Sequence, residues 1–242
     1  MKTRADALSA TSFSLSLSAG FFGFFAHIGF VEALESKGLK PKEVSGSSAG
    51  ALVAAGIASG HSAQELKDIF LSIQKKDFWD PSFGLGYLKG QKFEELLNLY
   101  CVKNFAETQI PLHISVFNIK RRRTEVITEG LVVQACRASA AVPVFFHPVQ
   151  LNKNYFWDGG IGDRPGHKGV ESSQLTSVIH YLNAGDFISR LEDQYRYKYL
   201  HQKPFFFKTL SPYKMGPSSL EKGQKVIEHF FKITQKWLEE KI

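Results

Sequence analysis

The sequence predicts an α/β domain with a mostly parallel central sheet, and three observations carry that reading. From Phe13 onward, short segments of strand character alternate with segments of helical spacing in the order strand, helix, strand, helix. The run Gly46, Ser47, Ser48, Ala49, Gly50 lies where the second strand gives way to the second helix, the position at which α/β sheets carry functional groups. The 242 residues are 43% hydrophobic and 22% charged, enough apolar material for one large core. No internal repeat, low-complexity linker or composition shift divides the chain, so residues 1–242 read as a single domain.

Each element has its own signal. Phe13, Leu15 and Leu17 alternate with Ser14, Ser16 and Ser18, a strand period. The glycine-punctuated "AGFFG" turns the chain, and Phe24 to Ser36 follows with Phe24, Ile28, Val31 and Leu34 at helical spacing and Gly38 just past the end. "KPKEVSG" is a second short strand, and "AGALVAAGIASG" has the small apolar surface of a helix lying close on a sheet. Ser62 to Gln74 is helical, with Ser62 as N-cap and Glu65 completing a capping box. "KKDFWDPSFGLGYLKG" breaks regularity before "QKFEELLNLY" resumes as a helix. In that break, Phe78, Trp79, Phe83, Tyr87 and Leu88 either pack the loop onto itself or form a lipid-facing cover. "IPLHISVFNI" and "TEVITEG" make a β-hairpin, "LVVQACRASAA" a helix, and "FHPVQLNKNYFWDGG" strand structure with a turn at Asn152 to Asn154. "TSVIHYL" and "PFFFKTL" are later strands, and Ser218 to Glu240 closes the chain as an amphipathic helix.

Charge and cysteine usage narrow the function classes. Thirty Lys and Arg against 23 Asp and Glu give a formal charge of +7, which attracts anionic surfaces. The one basic run, Lys120 to Arg123, reads first as a solvated hairpin tip and second as a lipid-headgroup contact. No zinc-finger, basic-helix or RNP-type motif accompanies it, so nucleic acid is not an expected partner. Cys101 and Cys136 lack metal-ligand or redox spacing, which fits a reducing compartment. The N-terminus has basic residues before an apolar stretch, but its serine alternation is that of a strand rather than a signal peptide. No run of about 18 uncharged apolar residues is present, so the expected location is the cytoplasm or the periphery of a membrane.

The chemistry centres on Ser48. A serine at the apex of a strand-to-helix turn is held in a strained conformation that exposes its Oγ, and the positions two before and two after must be small. Ser45 and Ser47 lack glycine at both flanks; Ser48 has Gly46 and Gly50. Helix N-terminal amides, beginning with that of Ala49, face a developing oxyanion there. The turn Gly20, Phe21, Phe22, Gly23 occupies the same topological position one strand earlier, so adjacent parallel strands would bring its amides above Ser48. Asp158 ends an aromatic strand before Gly159 and Gly160, where it serves either as a base or as a turn cap. None of the eight histidines sits in an obvious catalytic signature.

Together these blocks resemble the patatin-like phospholipases. "SAGFFGFFAHIGFVEALESKGL" is similar to that family's glycine-rich oxyanion turn and first helix, and "VSGSSAGALVAAGIASG" to its elbow. "ACRASAAVPVFFHPV" resembles the segment before its last catalytic strand, and "YFWDGGIGDRP" its Asp-Gly-Gly turn. The similarity covers roughly Phe13 to Pro165, with Phe22 standing where the family often has a cation. The resemblance implies a three-layer α/β/α sandwich and hydrolysis of lipid or phospholipid acyl esters by a dyad. Ser48 would be nucleophile and Asp158 its base, with the Gly20–Gly23 turn and Ala49 at the oxyanion and no metal or cofactor. Separately, the net charge of +7 makes peripheral contact with an anionic membrane surface an expectation. The alternatives are a Ser-His-Asp hydrolase, for which His167 or His180 has the right chain order, a silent lipid-binding module of the same fold, and a nucleotide-binding domain.

Overall fold

Phe13–Leu17 (β1) is buried at every position, serines included, as expected of a strand inside a sheet covered on both faces. The computed structural model describes residues 1–183, 196–203, 205–210 and 215–242. A helix that the sequence reading did not anticipate, Arg4–Ser9 (α1), precedes β1 and is held by a capping box between Thr3 and Asp6. After β1 come Phe24–Ser36 (α2), Glu43–Ser47 (β2), Ala49–Ala58 (α3) and Ala63–Ser72 (α4). The Ser62–Glu65 capping box forms as expected. Gly86–Leu88 (β3) and Gln91–Leu97 (α5) follow, then the hairpin Leu112–Asn118 (β4) and Arg123–Ile127 (β5), and Val132–Ser139 (α6). Val144–Phe146 (β6) leads into Val149–Leu151 (β7) and Asn154–Trp157 (β8), and the chain ends with Thr176–Asn183 (β9), Phe206–Leu210 (β10) and Gly223–Glu239 (α7). Pro204, the first residue of "PFFFKTL", lies outside the described residues. The turn expected at Asn152 to Asn154 is two residues long, Asn152 and Lys153 both with positive φ (53° and 65°), and Asn154 already belongs to β8.

The main sheet has eight strands in the order β10, β9, β1, β2, β4, β8, β7, with β5 also paired to β4. The β10–β9–β1–β2–β4 part is parallel, and β5, β8 and β7 join antiparallel. Helices flank this sheet. On one face, α2 packs along α7, and Gly29 allows the contact because a Cβ there would meet the Ile227 backbone. Ser16, Ser45, Ser47 and Ser115 belong to strand positions of the other face. The segment after β8 closes over it, Gly159 against Ser47 and Gly169 against Ser45. No helix among the described residues is long and apolar enough to cross a membrane.

Two ambiguous stretches are resolved. Lys120–Arg122 turns the β4–β5 hairpin, and Arg121 pairs with Glu125 at 3.0 Å, so the basic run is a hairpin tip. The aromatic break divides. Phe78 and Leu88 are buried, while Phe83 and Tyr87 project to solvent, because Pro81 and Leu88 bridge and fold residues 81–88 into a small hairpin.

Candidate active site

Ser48 sits between β2 and α3 with φ 51° and ψ −121°, a backbone conformation that L-residues avoid. Its strain is maintained by close packing on both sides. A Cβ on Gly46 would lie 2.6 Å from the Ala51 nitrogen, and one on Gly50 would enter the carbonyl of Leu17 on the neighbouring strand. The Gly-x-Ser-x-Gly spacing is therefore a packing requirement: only without those side chains can α3 start so close to β1.

The sheet then brings Asp158 to Ser48 from 110 residues away. On one edge of β4, β2 pairs as far as Ser47 with Ser115, and β8 takes over the same edge with Trp157 opposite Phe117. One strand runs parallel to β4 and the other antiparallel, so their carboxyl ends meet head to head. Ser48 Oγ donates to Asp158 Oδ2 at 2.6 Å, and Gly160 N–H donates to Asp158 Oδ1 at 2.7 Å. Asp158 thus caps its turn and also faces Ser48 at hydrogen-bond distance. Burial pushes its pKa up to about 6, against the lowering effects of the Ser48 and Gly160 hydrogen bonds and of the Arg164 charge.

A segment to which the sequence reading gave no role holds both partners. Ser139 Oγ accepts the Ser48 N–H at 2.9 Å and donates to the Ser115 carbonyl at 2.7 Å, and the Ala141 carbonyl accepts the Asp158 N–H at 3.0 Å. The signal was present in Ala138-Ser139-Ala140-Ala141-Val142-Pro143, but sequence does not say where its hydroxyl points.

The expected helper turn is adjacent, since β1 and β2 pair in parallel with Leu17 opposite Gly46. Gly20, Phe21, Phe22, Ser48 and Ala49 line one narrow cavity of about 80 Å³, whose remaining walls include Phe24, Leu52, Phe70, Phe78 and Phe146. A more open cleft of about 390 Å³ on the other side of Ser48 contains Asp158, Gly160 and Arg164. Among the described residues, the N–H groups of Gly20 and Phe21 have no hydrogen-bond partner. Gly23 departs from expectation: its N–H donates to the Gly20 carbonyl at 2.7 Å, closing the turn, so it is not free to face Ser48. Phe22 adopts φ 55° and packs on Phe24 and Phe78 as an apolar wall residue.

The histidines needed by a Ser-His-Asp arrangement are elsewhere. His180 is fully buried against His27, Nδ1 to Nδ1 at 3.0 Å, and His167 Nδ1 contacts Ser16 Oγ at 3.0 Å. Burial lowers the pKa of all three, to about 4 for His27 and His167.

The fold and site define a class: a parallel α/β protein with a strained serine at a strand–helix elbow and a buried carboxylate at hydrogen-bond distance. The family model of the patatin-like phospholipases matches residues 15–167, and the chain belongs to that family. An uncharacterized protein of Bacillus subtilis, YqhO, is 27% identical over 165 residues, covering 55% of this chain and 57% of that protein. Among solved structures, VipD from Legionella pneumophila superposes with TM-score 0.70 at 14% identity, covering 94% of this chain and 66% of VipD. ExoU of the Pseudomonas aeruginosa type III secretion system, solved with SpcU, gives 0.53 at 14% identity, covering 95% and 52%. The chain thus spans under two thirds of each of these proteins, and the structural likenesses show the fold.

Proposed function

We propose that the protein hydrolyses carboxylic esters of lipids, phospholipids included, through a Ser48 acyl-enzyme with Asp158 as general base. The observation that carries this is the 2.6 Å hydrogen bond from Ser48 Oγ to Asp158 Oδ2 at the mouth of an apolar cavity. Asp158 accepts the Ser48 proton as Oγ attacks the ester carbonyl, and the Gly20, Phe21 and Ala49 amides are the proposed donors to the oxyanion. Asp158 then returns that proton to the departing alcohol. In the second half it takes a proton from water, whose oxygen attacks the acyl carbon, and Ser48 regains its hydrogen as the fatty acid leaves. In this reading the acyl chain enters through the phenylalanine-lined cavity and the polar remainder of the substrate lies in the open cleft beside Arg164.

The test is a panel of p-nitrophenyl esters and phospholipids with wild type, Ser48→Ala and Asp158→Asn. Turnover by wild type and a fall of about 10³-fold or more in either variant supports the dyad. An unreactive wild type that also refuses a fluorophosphonate probe would leave a silent lipid-binding module.

A further inference from the structure

The large apolar side chains left in solvent are not scattered. Fourteen are exposed among the described residues, and six of them, Phe21, Phe83, Leu85, Tyr87, Val144 and Phe145, fall in three chain segments that touch one another. β3 pairs with β6, Gly86 opposite Val144, which lays the 81–88 hairpin alongside residues 144–146. The Phe145 ring lies 5.6 Å from that of Phe21, whose own residue lines the cavity beside Ser48. The patch therefore forms the rim of the site. Its tip is extreme: Phe83 is fully exposed, Leu85 is 75% and Val144 77% exposed. Val144 is also held at φ 72°, a conformation that a β-branched residue rarely adopts, and so presents its side chain to water at a cost in strain. At the border, Lys75 Nζ stands 4.0 Å over the Trp79 ring, which in turn contacts Tyr87.

We propose that this rim is a docking face for an anionic lipid bilayer, with Phe83, Leu85 and Val144 entering the interface and Lys75 at the headgroup level. The proposal rests on the lipid-ester reading of the adjoining cavity. A long acyl chain crossing water would lose about 0.8 kcal/mol per methylene, so a mouth pressed against the apolar layer spares a long-chain substrate a cost that a short soluble ester scarcely meets. Aromatic and aliphatic side chains beside a cation, on a chain of net charge +7, match a negatively charged membrane surface.

The test uses vesicles of ether-linked phosphatidylcholine, alone and with about 30 mol% ether-linked phosphatidylglycerol, so that hydrolysis cannot alter them. Sedimentation is measured for wild type, Phe83→Ser/Leu85→Ser and Lys75→Ala, with hydrolysis of p-nitrophenyl butyrate as a separate readout. Expected is binding by wild type that increases with phosphatidylglycerol, a loss of about tenfold or more in the double variant with unchanged butyrate turnover, and for Lys75→Ala a loss of the phosphatidylglycerol increment. A milder variant, Leu85→Ser, guards against a folding defect and should lose several-fold. Equal binding by wild type and double variant, or no binding by wild type to either vesicle, overturns the docking face. Vesicle binding without butyrate turnover upholds docking while overturning the hydrolase reading, so the two failures are distinguishable.

Discussion

Ser139 Oγ takes the backbone N–H of Ser48 at 2.9 Å, so the serine proposed as nucleophile does not offer its own amide to an oxyanion. The same hydroxyl is tied to the Ser115 carbonyl on β4, and the helix end that carries it continues to Ala141, which holds the Asp158 N–H. Residues 139–141 thus set the separation of Ser48 and Asp158 from behind.

Ser139→Ala leaves a buried N–H without a partner, a cost of about 1–3 kcal/mol, and frees the elbow to shift away from Asp158. The expected outcome is a kcat reduced about 10- to 100-fold with KM little changed. A purely structural role would lower the melting temperature without this split, which steady-state kinetics on a soluble ester would reveal.

Because the proposed base must be ionised, kcat/KM should rise with pH and level off above about 6, the value to which burial pushes Asp158. Folding has the opposite dependence on this group. A carboxyl with its pKa raised in the folded state holds its proton more firmly there, so its contribution is largest below the unfolded value of 3.8 and is lost as pH rises through about 6. Asp158→Asn is therefore expected, alongside its loss of turnover, to unfold at higher denaturant concentration than wild type at pH 7, and to lose that advantage near pH 4.

His27 and His180 titrate with the reverse sign. Both are buried neutral, with pKa lowered from 6.5, to about 4 for His27, so the unfolded chain binds more protons as pH falls from 6.5 to 4 and stability declines over that window. His27 Nε2 lies 2.8 Å from the Ser18 carbonyl, at the start of the turn that reaches Gly20 and Phe21. His27→Gln keeps a donor for that carbonyl but cannot titrate; urea unfolding at pH 7 and pH 5 should show a smaller acid destabilisation than in wild type.

Gly50→Ala places a methyl group into the Leu17 carbonyl, backbone against backbone with no flexible side chain to yield. A loss of about 1–3 kcal/mol is expected, with a fall in ester turnover larger than that of an equally destabilising core variant, since α3 must move off β1 and carry Ser48 with it. Thermal melts and turnover measured together check the pair of effects.

Much of this was legible in the chain, for reasons that are local. The serine alternation in Phe13–Leu17, the capping box at Ser62 and Glu65, and the Gly46-Ser48-Gly50 spacing each encode a conformation through steric and hydrogen-bonding demands of neighbouring residues. The hairpin 81–88 was not legible as such, because Phe83 and Leu88 differ in burial through a bridge and a strand pairing that periodicity does not report. Gly23 shows a finer limit. Its identity signalled a turn, but whether its amide faces Ser48 or closes on Gly20 depends on one hydrogen bond.

Sequence alone determined that a serine elbow stands between a strand and a helix and that a glycine-followed aspartate ends a later strand, because those properties reside in residues next to one another. That Asp158 reaches Ser48 was decided by the sheet, where β2 and β8 share one edge of β4 and run toward each other. The carboxylate's raised pKa came from the same source, since burial beneath residues distant in the chain, rather than its neighbours Gly159 and Gly160, removes it from water.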